Sequence, residues 1–152
     1  MVLAPEAPEP LLPDLGTPVR VTRDREPYGG PLHGLAAGIA AVREPVALLA
    51  AADMPALRPA VLQALLDALA EGGADAAALA LGGGPRPFPC ALRVAALRAP
   101  IERLVSSGER RARTALESVR VAWVPEEVWR ALDPEAGWTR DVDRPEDLPR
   151  EA

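Results

Sequence analysis

Short apolar runs alternate along this chain with segments of helical period, and proline or glycine breaks nearly every junction. No other feature constrains the fold as strongly. Residues 46–51 and 76–81 are continuous apolar runs, the pattern of strands covered on both faces. Residues 90–93 and 119–124 read as further strands, and 2–4, 19–22 and 138–142 as shorter ones. Leu35, Ile39 and Val42 mark a helix over 32–43 that Pro45 closes. Val61, Leu62, Leu65, Leu66 and Leu69 mark a second, opened by Pro59 and ended by Gly72-Gly73, the usual proline-first, glycine-last asymmetry. Helical segments follow at 95–105, 110–116 and 126–132, with a short terminal helix from Pro145. Such alternation predicts an α/β fold, a three-layer α/β/α sandwich with a mostly parallel sheet, in one domain over 1–152. The 46–51 run is expected as its buried central strand.

Composition narrows the chemistry. One Phe, one Tyr and three Trp leave Ala, Leu and Val to build the core, with Trp123, Trp129 and Trp138 as packing anchors, and offer no row of aromatic platforms for single-stranded nucleic acid. A net charge of −5 argues against a general polyanion binder. All 17 basic residues are Arg, and neither Lys nor Asn occurs. The single cysteine, Cys90, excludes an internal disulfide and a cysteine-cluster metal site, and reads as core. No apolar run approaches a membrane span, and a cytoplasmic location is expected.

In open α/β sheets ligands gather beyond the carboxyl ends of strands. Asp24, Asp53 and Asp141 fall there. Asp53 follows the 46–51 run and precedes the sharp Met54-Pro55 turn, so its carboxylate either caps that turn or meets Mg²⁺, which favours one or two carboxylates with phosphate oxygens. Asp24 stands in a charged turn that is either solvated or ligand-facing. Alternation puts Asp141 and Asp143 on one face of an extended segment, where they cap the helix at Pro145 or face a ligand. His33, the one histidine, suits a packing or capping role as well as a base. Gly82-Gly83-Gly84 precedes Arg86 in a loop, and Gly108-Glu109-Arg110-Arg111-Ala112-Arg113 is either a solvated basic face or a phosphate contact.

Three motifs carry a resemblance: Gly30-Pro31-Leu32-His33-Gly34, Asp53-Met54-Pro55, and Asp141-Val142-Asp143-Arg144-Pro145-Glu146-Asp147-Leu148. Together they resemble the molybdenum cofactor guanylyltransferase family of nucleotidyltransferases, whose fold is nucleotide-diphospho-sugar-transferase-like. Arg144 departs from the family's usual Thr. The resemblance implies transfer of GMP from GTP to molybdopterin, with Mg²⁺ as cofactor and neither nucleic acid nor membrane as partner. It implies Asp53 as catalytic residue, Asp53 and Asp143 on the metal with Asp24 as another candidate, and Asp24, Gly30, Pro31, Leu32, Gly34 and Asp53 on the nucleotide. Arg86, Arg110, Arg113 and Asp141 would face the acceptor.

The resemblance also implies a chain that begins inside the family's domain, without its first strand and helix, its Leu-Ala-Gly-Gly turn or its Asp-Lys. Nucleotide affinity is then expected to be impaired, and the sheet to rearrange or to carry open edges; either a second copy closes them or the natural start lies upstream of Met1. Two other functions stay open: a related nucleotidyltransferase using CTP or another phosphorylated acceptor, and a non-catalytic binding subunit.

Overall fold

The computed structural model describes residues 1–8, 16–24, 26–27, 29–82, 86–140 and 142. Its elements in chain order are β1 (Val2–Leu3), β2 (Thr22–Arg23), α1 (Pro31–Ala41), β3 (Val46–Leu49), α2 (Pro59–Glu71), β4 (Ala76–Leu79), β5 (Cys90–Arg93), α3 (Val94–Ser106), α4 (Ala112–Glu117), β6 (Val121–Val124) and α5 (Glu126–Leu132). A 3-10 turn, Gly137–Thr139, follows.

Four strands form one sheet in the order β3-β5-β4-β6, and β1 and β2 pair in parallel as a separate two-stranded sheet. β3, β4 and β6 run in one direction and β5 runs against them, so the larger sheet is mostly parallel by strand direction. Connections explain this. Helices carry the chain from β3 to β4 and from β5 to β6, as parallel placement requires. Between β4 and β5 the described residues contain no helix, and the chain doubles back antiparallel.

Side-chain alternation builds the three layers. Ala76, Ala78, Cys90 and Leu92 face a layer of α1, α3 and α4 through Leu32, Leu35, Ile39, Leu97, Ile101 and Leu116. Ala77, Leu79 and Ala91 face the other way, onto Val61, Leu65 and Leu69 of α2 with Trp129 and Trp138. The expected sandwich is therefore present. The thin alanine strand β4 gives both helical layers close approach at the centre of the core.

Several expectations shift. The 46–51 run forms β3 at Val46–Leu49, which among the described residues is an end strand paired with β5 alone, with Leu48 exposed; an apolar run alone does not separate a central strand from a half-covered edge. The 19–22 strand forms at Thr22–Arg23. Of the strand expected at 138–142, residues 138 and 139 lie in the 3-10 turn, where Thr139 donates to Ala136 O at 2.9 Å and Arg140 to Gly137 O at 3.1 Å, so their amides are used locally; Asp141 lies outside the described residues. Trp129 and Trp138 are buried edge to face, centroids 5.2 Å apart at 83°. Trp123 is 44% exposed on β6, the other end strand, and anchors nothing. The terminal helix from Pro145 lies outside the described residues.

Cys90 is core, as expected, and burial pushes its thiol up to about 12. An electrophilic thiol reagent at pH 8 is expected to label native protein at a small fraction of its rate on urea-unfolded chain, since the thiolate is the nucleophile. Equal rates would show that the core opens at this point.

Candidate functional site

The first part of the site grows from the β1–β2 pair. Asp24 donates its N–H to Leu3 O at 2.8 Å, extending the ladder, and its Oδ1 accepts the N–H of Glu26 at 3.2 Å. The carboxylate thus holds its own turn with one oxygen. Arg23 Nη1 reaches across to the carbonyls of Ala4, Pro5 and Ala7 at 3.2, 3.3 and 2.7 Å, folding that loop back over the strand.

Between this loop and the start of α1 lies a cavity of about 430 Å³, lined by Leu3, Pro5, Asp24, Glu26, Gly30 and Gly34 among others. Its size falls within the usual range for small-molecule sites. Gly30 has φ +81° and leads into Pro31, the first residue of α1. A Cβ at Gly30 would stand 2.9 Å from Arg110 O, whereas one at Gly34 would meet open space. Packing explains Gly30; nothing in the core explains Gly34, whose bare backbone widens the cavity. Leu32, by contrast, is buried in the core, and its N–H goes to Arg110 O at 3.0 Å.

A larger cavity of about 650 Å³ lies on the other side of Asp24 and Glu26, against His33, Ala36, Ala40 and Glu102. His33 covers Gly29 so closely that a Cβ there would overlap its ring. Its Nδ1 is buried without a hydrogen-bond partner among the described residues and lies 4.0 Å from Glu26 Oε2.

The second part lies at the end of β3. Asp53 Oδ1 is buried and has no hydrogen-bond partner among the described residues, so no turn cap within them uses that oxygen. The Asp53 carbonyl accepts the N–H of Val142 at 3.0 Å. That bond draws the chain between Asp141 and Asp143 against Asp53, though both aspartates lie outside the described residues. Among the described residues no three His, Cys, Asp or Glu side chains cluster to hold a metal. A buried carboxylate oxygen without a donor nevertheless suits a cation ligand. Asp53 does not line either cavity.

The arginines sort by their partners. Arg113 is paired with Glu117 at 2.7 Å, and Arg111 with Glu109 at 3.0 Å. Hydrogen bonds from the Arg111 side chain and from the Arg111 and Arg110 backbones hold the Glu109 carboxyl far below the usual carboxylate range. Arg110 is exposed, its Cβ close to Gly30, which places it beside the glycine turn. Arg86 is half-buried ahead of β5. Sequence reading passed over Glu109 and Asp133. Glu109 had a signal in the Gly108 to Arg113 run, but Asp133 sits in no motif or periodic face.

Residues 1–128 match the family model of the MobA-like NTP transferase domain. A protein of Chloroflexus aggregans named "Probable molybdenum cofactor guanylyltransferase" is 35% identical over 137 residues, which are 90% of this chain and 64% of that protein. The crystal structure of molybdopterin-guanine dinucleotide biosynthesis protein A from Archaeoglobus fulgidus is 26% identical with a TM-score of 0.70, over 84% of this chain and 63% of that one. A protein from Aquifex aeolicus shares the fold at 18% identity and a TM-score of 0.59, over 74% of this chain and 59% of its own. The chain thus spans a little under two thirds of the length of these relatives.

Proposed function

Since this chain belongs to the MobA-like NTP transferase family, we propose that it serves guanylyl transfer from GTP to molybdopterin in molybdenum cofactor biosynthesis, a cytoplasmic reaction. The observation that carries this reading is Asp53, which follows β3 and whose buried oxygen has no hydrogen-bond partner among the described residues. A phosphate oxygen of molybdopterin attacks the α-phosphorus of GTP in line. The new P–O bond forms as the bond to the β-phosphate breaks, and pyrophosphate leaves with that electron pair.

The residues divide this work. The cavity at Gly30 and Gly34 takes the nucleoside. Asp24 keeps one oxygen on its own turn and offers the other to donor groups on the guanine edge. Asp53, with Asp143, would hold Mg²⁺, which when bound neutralises charge as the nucleotidyl group passes between phosphates. Arg86, Arg110 and Arg113 with Asp141 supply contacts for the acceptor; of these, Arg113 must leave Glu117 to do so. No covalent protein intermediate is needed, so positioning and charge complementarity carry the catalysis.

Isothermal titration of the chain with GTP and with CTP, each with Mg²⁺, tests the reading. Binding of GTP in preference to CTP is expected, at reduced affinity. Selective CTP binding would move the assignment to a cytidylyl-transferring relative, and absence of heat with both nucleotides would favour a non-catalytic subunit.

A further inference from the structure

The first-turn amides of a helix have no partner inside it. In α1 one of them, Leu32 N–H, is taken by the carbonyl of Arg110 at 3.0 Å, and the same carbonyl would stand 2.9 Å from a Cβ on Gly30. The position of Arg110 O therefore decides where the glycine turn lies, and with it one wall of the 430 Å³ cavity.

What fixes Arg110 is Glu109. Its Oε1 accepts the backbone N–H groups of Arg110 and Arg111 at 2.9 and 3.0 Å, and Arg111 Nε at 3.1 Å. Its Oε2 accepts Arg111 Nη2 at 3.0 Å and the Thr114 hydroxyl at 3.1 Å. Five donors thus converge on one carboxylate. The backbone behind it is equally constrained. Gly108, at φ +83°, donates to Val105 O at 2.9 Å, and Glu109 donates to Leu104 O at 3.0 Å. This is the paired closure of a helix end by a left-handed glycine. Arg111, at φ −85° and ψ 121°, is extended, and α4 starts after it at Ala112.

We propose that Glu109 is a positioning residue for the nucleotide cavity, acting through the Arg110 carbonyl on the Gly30 turn; in its ligand, a guanine nucleotide, this rests on the function proposed above. Glu109 touches neither substrate nor metal in this role. It clasps the end of α3, the start of α4 and the start of α1 into one rigid corner.

Leu32 N–H is a direct reporter, because its acceptor among the described residues is Arg110 O. Amide exchange by NMR, melting temperature and GTP titration with Mg²⁺ are compared for the full chain and for Glu109→Ala and Glu109→Gln. In Glu109→Ala, Leu32 exchange is expected to quicken and GTP to bind more weakly, each by about tenfold, the upper end for loss of one hydrogen bond. Glu109→Gln retains a carbonyl oxygen for both backbone amides and is expected to stay within about twofold of the original on both measures, although it loses the Arg111 ion pair.

Unchanged Leu32 exchange in a folded Glu109→Ala chain overturns the proposal, as does a Gln variant impaired as badly as the Ala variant. Faster Leu32 exchange with undiminished GTP affinity overturns the positioning role. A starting chain that binds no GTP, yet shows the Leu32 change on substitution, sinks the nucleotide reading and leaves the clasp demonstrated.

Discussion

Asp53→Asn is expected to lower guanylyl transfer by at least about a hundredfold, which is about 2.7 kcal/mol of transition-state stabilisation, while the melting temperature stays level or rises. The two halves come from one observation. Asp53 Oδ1 is buried and accepts no hydrogen bond from the described residues, so they gain little from the charge there. Its backbone carbonyl, which holds Val142 N–H at 3.0 Å, survives the substitution. A residue kept for function against the interest of stability behaves in this way, whereas a turn cap would cost about 1 kcal/mol when lost. The measurement pairs calorimetric melting with pyrophosphate release from GTP at several Mg²⁺ concentrations. Loss of stability with activity retained would return Asp53 to a capping role.

Arg58→Met is expected to destabilise the fold by about 3 kcal/mol, in the range for stranding one member of a buried ion pair. For a domain of this size that is a fall of roughly 6–12 °C in melting temperature. Asp133 is fully buried, and Arg58 Nε stands 3.1 Å from its Oδ1 with the N–H poorly aligned for a hydrogen bond. The other oxygen accepts the N–H of Trp138, at a long 3.5 Å. Removing Arg58 strands the carboxylate, while removing the carboxylate lets a half-exposed guanidinium hydrate. Asp133→Asn placed on Arg58→Met is therefore expected to recover most of the loss. Urea melts of the two single variants and the double variant decide it. A loss below about 1 kcal/mol in Arg58→Met would mean that water reaches Asp133. The pair matters for the site as well, since it ties the segment after Asp53 to the 3-10 turn that leads to Val142.

The alternation of apolar runs and helical segments was enough to read the layers, and α2 and α5 begin and end at the residues that proline, glycine and spacing indicate. Val61, Leu65 and Leu69 are buried as their four-residue spacing requires, because a helix face is a local property of the chain. The glycine turn and Asp53 were legible for the same reason: each stands at a local junction between a strand or turn and a helix. Which strands are neighbours is not local. An apolar run looks alike at the centre of a sheet and at its end, so the place of β3 beside β5 alone, and the exposure of Trp123 on β6, depended on how the crossovers stack. The contact of Arg110 with Leu32 joins residues far apart in sequence, and Asp133 finds Arg58 across the core. The sequence by itself determined the helices from α1 to α5, the strands β3 to β6 and the layers, through turn chemistry and periodicity. Only the tertiary structure decided strand order, the partner of each charge and the shape of the cavity, because each depends on distant backbone that no local pattern encodes.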